Sequence, residues 1–359
     1  MTNIAIVILN WNGKDYLAKF LPLLYERTQM PGIEIIVADN ASSDGSMEFM
    51  KRNFSDTRLI QLEKNHGFAG GYNKALEQVE ANYFLLLNSD IEVRENWLQP
   101  LAAFMEGHRE TAACSPVLLD YYHRDKYEYA GAAGGYIDRL GYTFCRGRLF
   151  HTTETRAEAF NTPVEVFWTT GACMMIRASL FREAGGFDEN FFAHMEEVDL
   201  CWRLKNMGYK LAIVPESNVF HVGGGTLPKS NPFKTYLNFR NNLFLLYKNL
   251  PEKGLVSTIR KRMLLDGVSA IMFLATLKFK DFKAVIRAHA GFRKKREEYK
   301  KYRADNRTRI IKSDHPEIYP GSVVFDYFIA GRKHFGSLRG HYSKEMDQRI
   351  IGITKIKNK

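Results

Sequence analysis

Cysteine is scarce and scattered in this chain of 359 residues: Cys114, Cys145, Cys173 and Cys201 lie far apart, and no two have CxxC spacing. That excludes a zinc ribbon and a disulfide framework, and makes reduced thiols in the cytosol the expectation. Long apolar runs are missing too. No stretch of about 18 uncharged apolar residues occurs, so no membrane span is expected. The opening Met1-Thr2-Asn3 runs straight into "IAIVILN" without a basic start or a cleavage site, so no secretory leader is expected either. There is no internal repeat and no low-complexity segment. What remains is a chain that is 45% hydrophobic, enough for a large core arranged as one big domain or two.

Acidic residues thin out in the last third. Residues 1–250 carry 25 Lys/Arg against 29 Asp/Glu, whereas residues 251–359 carry 26 against 11. A basic region of this kind suits nucleic acid, anionic lipid or an acidic partner, or is simply a solvated helical surface. No nucleic-acid module is present there, so nucleic acid is not an expected partner. Within it, "MLLDGVSAIMFLATLKF" (Met263 to Phe279) is apolar but interrupted by Asp266. Lys261, Arg262, Lys278, Lys280, Lys283 and the run Arg293 to Arg296 flank it. This predicts an interfacial helix on an anionic membrane surface. The rival is a basic cap with Leu264, Leu265, Ile271 and Leu274 buried in protein.

The first hundred residues alternate apolar β-branched runs with helical patterns. "IAIVILN", "IEIIVADN", "RLIQLEKN" and "YFLLLNSD" read as strands, and helices are expected from about Lys14, from Ser46 and after "GFAGG". This alternation predicts a parallel, doubly wound sheet covered on both faces. Ligands of such sheets bind at the carboxyl ends of the strands, where Asn10, Asp39 and Asp90 all fall. Residues 120–165 read as a long excursion with short strands. "EEVDLCWRLKNMGY" reads as a helix closing at Gly208, "KLAIVPESNVFHVGG" as a strand, and helices dominate after Pro251.

Several segments carry candidate chemistry. Asn88-Ser89-Asp90 ends a buried strand with a carboxylate. A hard divalent cation on a diphosphate needs only one or two protein carboxylates, although the three residues are also turn formers. Asp39 stands where a carboxylate accepts the N–H of a pyrimidine base. "NHGFAGGYNKAL" is a glycine-rich loop opening a helix, suited to phosphate or sugar, but neither a P-loop nor a GxGxxG. Glu196, Glu197 and Asp199 gather at a helix start, where they suit the dipole or supply a general base. His221 follows an apolar strand and is either structural or a metal ligand.

In this order and spacing, "VILNWNG", "VADNASSDGS", "NHGFAGGYN", "LLLNSDIEV", "TGACMMIRASLFREAGGFDENFF", "EEVDLCWRLKNMGY" and "FHVGGGT" resemble the family 2 glycosyltransferases of the GT-A fold. The likeness is greatest to the rhamnosyltransferase-like members that build bacterial lipopolysaccharide and capsule, and it covers about residues 3–250. It implies an α/β GT-A catalytic domain over 1–250, with 1–100 binding nucleotide and 101–250 serving acceptor and catalysis. A basic, mainly helical region at 251–359 would follow. The activity implied is inverting transfer from a nucleoside-diphosphate sugar to a glycan or lipid-linked acceptor, with Mg2+ or Mn2+, at the cytoplasmic face of the membrane. Asn10 and Asp39 would contact the nucleoside. Gly67, Asn73 and Lys74 would lie near the diphosphate or sugar, beside Asn88, which stands where many members carry Asp. Asp90 and His221 would serve the metal. Glu197 would be the base, with Glu196 in reserve. The Gln-x-x-Arg-Trp element of processive synthases is absent. A nucleotidyltransferase, or a sugar-nucleotide-binding protein without activity, is the alternative.

Overall fold

The computed structural model describes residues 3–156, 160–223 and 231–351. The chain opens with β1 (Ile4–Asn10), α1 (Lys14–Arg27), β2 (Ile33–Asp39), α2 (Ser46–Asn53), β3 (Arg58–Gln61), α3 (Gly67–Leu76) and β4 (Tyr83–Asn88). These four strands lie side by side in the order β3-β2-β1-β4, all parallel. Side-chain alternation explains why their sequences read as unbroken apolar runs. Ile4, Ile6 and Ile8 enter the core on one face of the sheet, while Ala5 and Val7 enter the core on the other.

The sheet then turns mixed. β5 (Ile91–Val93) and α4 (Leu98–Gly107) lead to β6 (Thr111–Asp120), and later β11 (Val164–Glu165), β12 (Cys173–Arg177) and β13 (Lys210–His221) join. β12 inserts antiparallel between β4 and β6, and β13 runs parallel to β6. Nine strands thus form the main sheet among the described residues. Between β6 and β11 the predicted excursion folds as β7 (Gly135–Asp138), β8 (Thr143–Cys145), β9 (Arg148–Leu149) and β10 (Thr152–Thr153), the meander of a second sheet. α5 (Ala178–Glu183) and α6 (Glu196–Asn206) bracket the segment that approaches the tip of β4.

After β13 come α7 (Pro232–Asn249), α8 (Leu255–Ala275) and α9 (Phe279–Thr308). Phe244 of α7 stacks on Tyr299 of α9 with ring centroids 3.9 Å apart. The region after 251 is helical as expected, but it is not set apart from the catalytic half. Its end turns back, and β14 (Ile318–Tyr319) adds a parallel strand to β7, followed by α10 (Tyr342–Gln348). A buried four-charge cluster fastens this return. Lys205 of α6 lies 2.9 Å from Glu165 and 3.3 Å from Glu317, and Arg349 lies 2.7 Å and 2.9 Å from the same two carboxylates. All four Cys are buried and unpaired.

Removing one member of such a cluster strands the rest. Lys205→Met leaves Glu165 and Glu317 sharing Arg349 alone, and unfolding in urea should show a loss of about 3–5 kcal/mol. The exposed Lys64→Met should change stability by no more than about 0.5 kcal/mol. Equal, small effects of both would show that the cluster does not hold the C-terminal return.

Candidate active site

The carboxyl ends of β1, β2 and β4 form one edge of the site. Asn10 is fully buried, and its Nδ2 donates to Asp39 Oδ1 at 3.0 Å and to Ser42 Oγ at 3.1 Å. Ser42 N–H donates to the other Asp39 oxygen at 2.9 Å. The Asn10 amide oxygen is buried without a donor, the one polar atom of this pair left over for a ligand. Both predicted nucleoside contacts therefore sit where the sequence placed them, tied to one another.

The glycine-rich loop behaves differently. Gly67 (φ 71°) lies so close to Phe192 that a Cβ would come within 2.5 Å of its ring and carbonyl. That carbonyl accepts the N–H groups of Phe68 (2.7 Å) and Ala69 (3.2 Å), so protein caps the start of α3. Asn40 ties the loop down further, donating to Gly67 O at 2.9 Å and accepting from His66 N–H at 2.9 Å. Asn73 donates to Phe187 O and accepts from Phe187 N–H, both at 2.9 Å. Lys74 sits seven residues along the helix, about 10 Å from its start, where it lowers the Glu63 pKa as a weaker influence than the hydrogen bonds Glu63 accepts. Gly67 and Asn73 thus have protein partners of their own, Phe192 and Phe187, beside the place near the diphosphate or sugar that the resemblance gives them with Lys74. Their partners lie in distant segments that local sequence does not reveal.

Asp90 and His221 meet because β5 pairs antiparallel with β13, Ile91 opposite His221, and Val222 N–H donates to Asp90 O at 3.1 Å. His221 Nε2 lies 3.1 Å from Asp90 Oδ1. On the other side of the ring, Nδ1 is 3.3 Å from Glu128 Oε2, within ion-pair reach but out of hydrogen-bond alignment. All three side chains are buried. Burial opposes a charged imidazole, yet Glu128 and Asp90 together outweigh it and hold the His221 pKa well above its usual value. Asp90 is likewise penalised by burial, but His221 keeps it ionised, with its pKa lowered. Glu128, in "KYEYAGAAGG", was not singled out from sequence, because no motif surrounds it. Gly224 to Thr226 of the predicted glycine loop lie outside the described residues.

The acidic helix start forms the facing wall. Asn88 N–H donates to Ala172 O at 2.9 Å. Beside it, Gly171 leaves room for the Phe68 ring, which a Cβ there would meet at 3.0 Å, and Glu197 lies at ordinary contact distance from the same point. Asn88 itself is partly exposed at the tip of β4. Glu196 and Glu197 each have an Oε2 that is buried without a donor, although Glu197 as a whole is partly exposed. Burial raises the pKa of both, that of Glu196 further because Glu197 adds like charge. Asp199 is structural. It accepts from Arg203 Nε (2.9 Å), Lys248 Nζ (2.8 Å) and Asn249 Nδ2 (2.8 Å), and these cations overcome burial and lower its pKa. The turn before α6 holds Phe192, His194 and Met195 at φ of 65°, 69° and 74°. Each such residue costs about 1–3 kcal/mol, and strain of this kind gathers at functional sites. Asn241 of α7 compensates: its Nδ2 lies 2.8–2.9 Å from the carbonyls of Phe191, Ala193 and His194.

Asp90 and His221 fit a divalent cation. Among the described residues no group of three or more His, Cys, Asp or Glu side chains forms a complete cage. A cation bridging a diphosphate needs only one or two protein ligands. His221 Nε2 and Asp90 Oδ1, paired to each other at 3.1 Å, would be those two once the proton between them is given up.

Known proteins resemble this chain. The chain is 27% identical over 239 residues to the N-acetylglucosaminyl-diphospho-decaprenol L-rhamnosyltransferase of Mycobacterium tuberculosis, covering 62% of this chain and 76% of that one. It is 24% identical over 290 residues to the dTDP-rhamnosyl transferase RfbF of Shigella flexneri, covering 78% and 90%. Among solved structures, GalNAc-T7 with UDP, GalNAc and Mn2+ is similar with a TM-score of 0.54 at 17% identity, over 69% of this chain and 48% of that one. S. aureus TarS 1-349 with UDP-GlcNAc is similar with a TM-score of 0.53 at 16% identity, over 86% and 89%. At these identities the two structures speak for the fold, which is of the GT-A type. The model of glycosyl transferase family 2 matches residues 5–185, half of the chain, running from β1 through α5. The protein belongs to glycosyl transferase family 2.

Proposed function

We propose that this glycosyltransferase moves a sugar, with rhamnose favoured, from a nucleoside-diphosphate donor to a lipid-linked glycan acceptor with inversion at the anomeric carbon. The observation that carries the reading is the meeting of Asp90, His221 and Glu128 at the tip of β4. The donor sugar is supported by the relatives named for rhamnosyl transfer, and the acceptor by the mycobacterial relative named for a diphospho-decaprenol substrate. The products would enter surface polysaccharide such as O-antigen or capsule.

Asn10 and Asp39 hold the nucleoside, and Asn88 faces the diphosphate. Asp90 and His221 hold Mg2+ or Mn2+, His221 only after giving up its proton. When bound, the cation supplies positive charge that stabilises the departing nucleoside diphosphate. Glu197 accepts the proton of the acceptor hydroxyl as that oxygen bonds to the anomeric carbon. The bond from carbon to the diphosphate oxygen breaks on the opposite face, carrying its electron pair away. Burial raises the Glu197 pKa towards neutrality, which makes it a stronger base than a solvated carboxylate. Asn190, Phe191 and their neighbours keep the turn in place through α7 and do not touch the reacting atoms.

Two predictions test this. Glu197→Gln preserves shape but accepts no proton, so turnover should fall by about 10²-fold or more with donor affinity nearly intact. In the wild type, activity should rise with pH through a limb lying above the ordinary Glu value of 4.5, and this limb should vanish in the variant. Full activity in Glu197→Gln beside a dead Glu196→Gln would move the base one residue back. In calorimetry with Mn2+ and nucleoside diphosphates, Asp90→Ala should abolish metal-dependent binding. Glu128→Gln, which loosens the His221 ring without removing a ligand, should weaken it by about 10–100-fold. Unchanged metal-dependent affinity in Asp90→Ala would remove Asp90 from the site.

A further inference from the structure

α8 is packed inside out. Its buried residues include Arg262 and Asp266, joined by a 2.7 Å hydrogen bond from Arg262 Nε. His289 of α9 lies 3.2 Å from the same carboxylate, and Arg262 also donates to Asn242 of α7. Asp266, which interrupts the apolar run in the sequence, thus points inward and fastens the helix to its neighbours. The outward face carries Leu264, Val268 and Ile271, spaced four and three residues apart on one stripe, exposed by 72%, 54% and 66%. Leu277 and Phe279 extend that exposure around the corner into α9. A helix bordering water alone shows the reverse pattern, and an apolar surface of this kind marks a contact. Of the residues that a cap would bury, Leu264, Ile271 and Leu274 are exposed and only Leu265 is partly buried.

A second exposed patch lies far away in sequence. The turn at 325–329 presents Phe325, Phe328 and Ile329. A run of neighbouring side chains leads from it to the inward side of α8, away from the Leu264 stripe: Phe328 to Phe150 (4.9 Å between ring centroids), Phe150 to Tyr142 (6.4 Å), and Tyr142 to the Arg262 guanidinium (3.9 Å). Exposed Lys261, Lys278 and Lys280 border the first patch, and Arg339 lies over Phe325 in the second.

We propose that the outward face of α8, with Leu277, Phe279 and the flanking lysines, docks on an anionic lipid bilayer, with α8 lying in the headgroup plane. Apolar residues ringed by lysine match the acyl boundary and its negative headgroups. A second copy of the chain would set the same lysines against each other. No helix among the described residues is long and apolar enough to cross a membrane, so lying on the surface is the geometry open to α8. The inference extends the lipid-linked-acceptor reading by naming the surface that brings the enzyme to such an acceptor.

The test is co-sedimentation of the full chain with vesicles of phosphatidylcholine alone or mixed with phosphatidylglycerol. Wild type should bind the mixed vesicles at low salt and bind less as salt contracts the Debye length to about 3 Å at 1 M. Leu264→Ser/Val268→Ser/Ile271→Ser should bind at least tenfold more weakly with an unchanged melting temperature, because the removed side chains are exposed. Lys278→Glu/Lys280→Glu should do the same. Wild type that stays in the supernatant with mixed vesicles at every salt, or a triple variant that binds like wild type, overturns the proposal. So does a wild-type dimer in light scattering that the triple variant dissociates, because a second copy would then be the occupant. Transfer to a water-soluble acceptor separates this from the catalytic reading. Transfer that persists in wild type without vesicle binding sinks the docking face alone. Vesicle binding without transfer from any nucleotide sugar supports the face and counts against the assigned reaction.

Discussion

The site depends on the pairing of β5 with β13. Three strand-like residues, Ile91 to Val93, lie against the end of a twelve-residue strand, and their register sets Asp90 beside His221. Neither side chain would tolerate burial alone. A buried carboxylate without a cation, or a buried imidazolium without an anion, costs several kcal/mol. Placed between Asp90 and Glu128, the ring charges and both carboxylates stay ionised. Two negative groups and one proton are thereby stored at the tip of β4. Exchange of that proton for a divalent cation would take the three side chains from a net charge of about −1 to about zero.

The opposite wall is built on a different principle. Glu196 and Glu197 are held in place by backbone geometry rather than by side-chain partners, which keeps their carboxylates free for chemistry. The geometry is strained, with three residues at positive φ within four positions, and α7 offsets the cost through Asn241, Lys248 and Asn249. The C-terminal return then braces α6 from behind through Lys205, Glu165, Glu317 and Arg349. Glu317 and Arg349, more than a hundred positions on, thus brace the helix that carries Glu196 and Glu197, which explains why the last third cannot be regarded as an appendage.

The fold was readable because burial on both faces of a sheet leaves an unmistakable pattern: "IAIVILN" and "YFLLLN" became β1 and β4 with their polar ends at the cleft. The positions of Asp90 and His221 were legible for the same reason, as polar groups closing apolar strands, and Glu196 and Glu197 as acidic residues opening a helix. The protein contacts of Gly67 and Asn73 were hidden, because glycine-rich loops serve backbone contacts as readily as phosphates. Here the contact was Phe192 and Phe187, more than a hundred residues on. Glu128 gave no sign, since a single carboxylate in an irregular stretch looks like solvent-facing polarity until His221 is set against it. The direction of α8 was also hidden, because a leucine stripe reads alike whether it faces a core or a membrane.

The central claim is that Asp90 anchors a metal-bridged nucleoside diphosphate at the tip of β4. A crystal grown with Mn2+ and a nucleoside diphosphate, measured for manganese anomalous scattering, tests it most directly. The account predicts a peak about 2 Å from both the Asp90 carboxylate and a diphosphate oxygen, with His221 turned onto the ion and Glu128 still behind its ring. Ordered nucleotide without manganese near Asp90, or manganese bound elsewhere in the cleft, would contradict it.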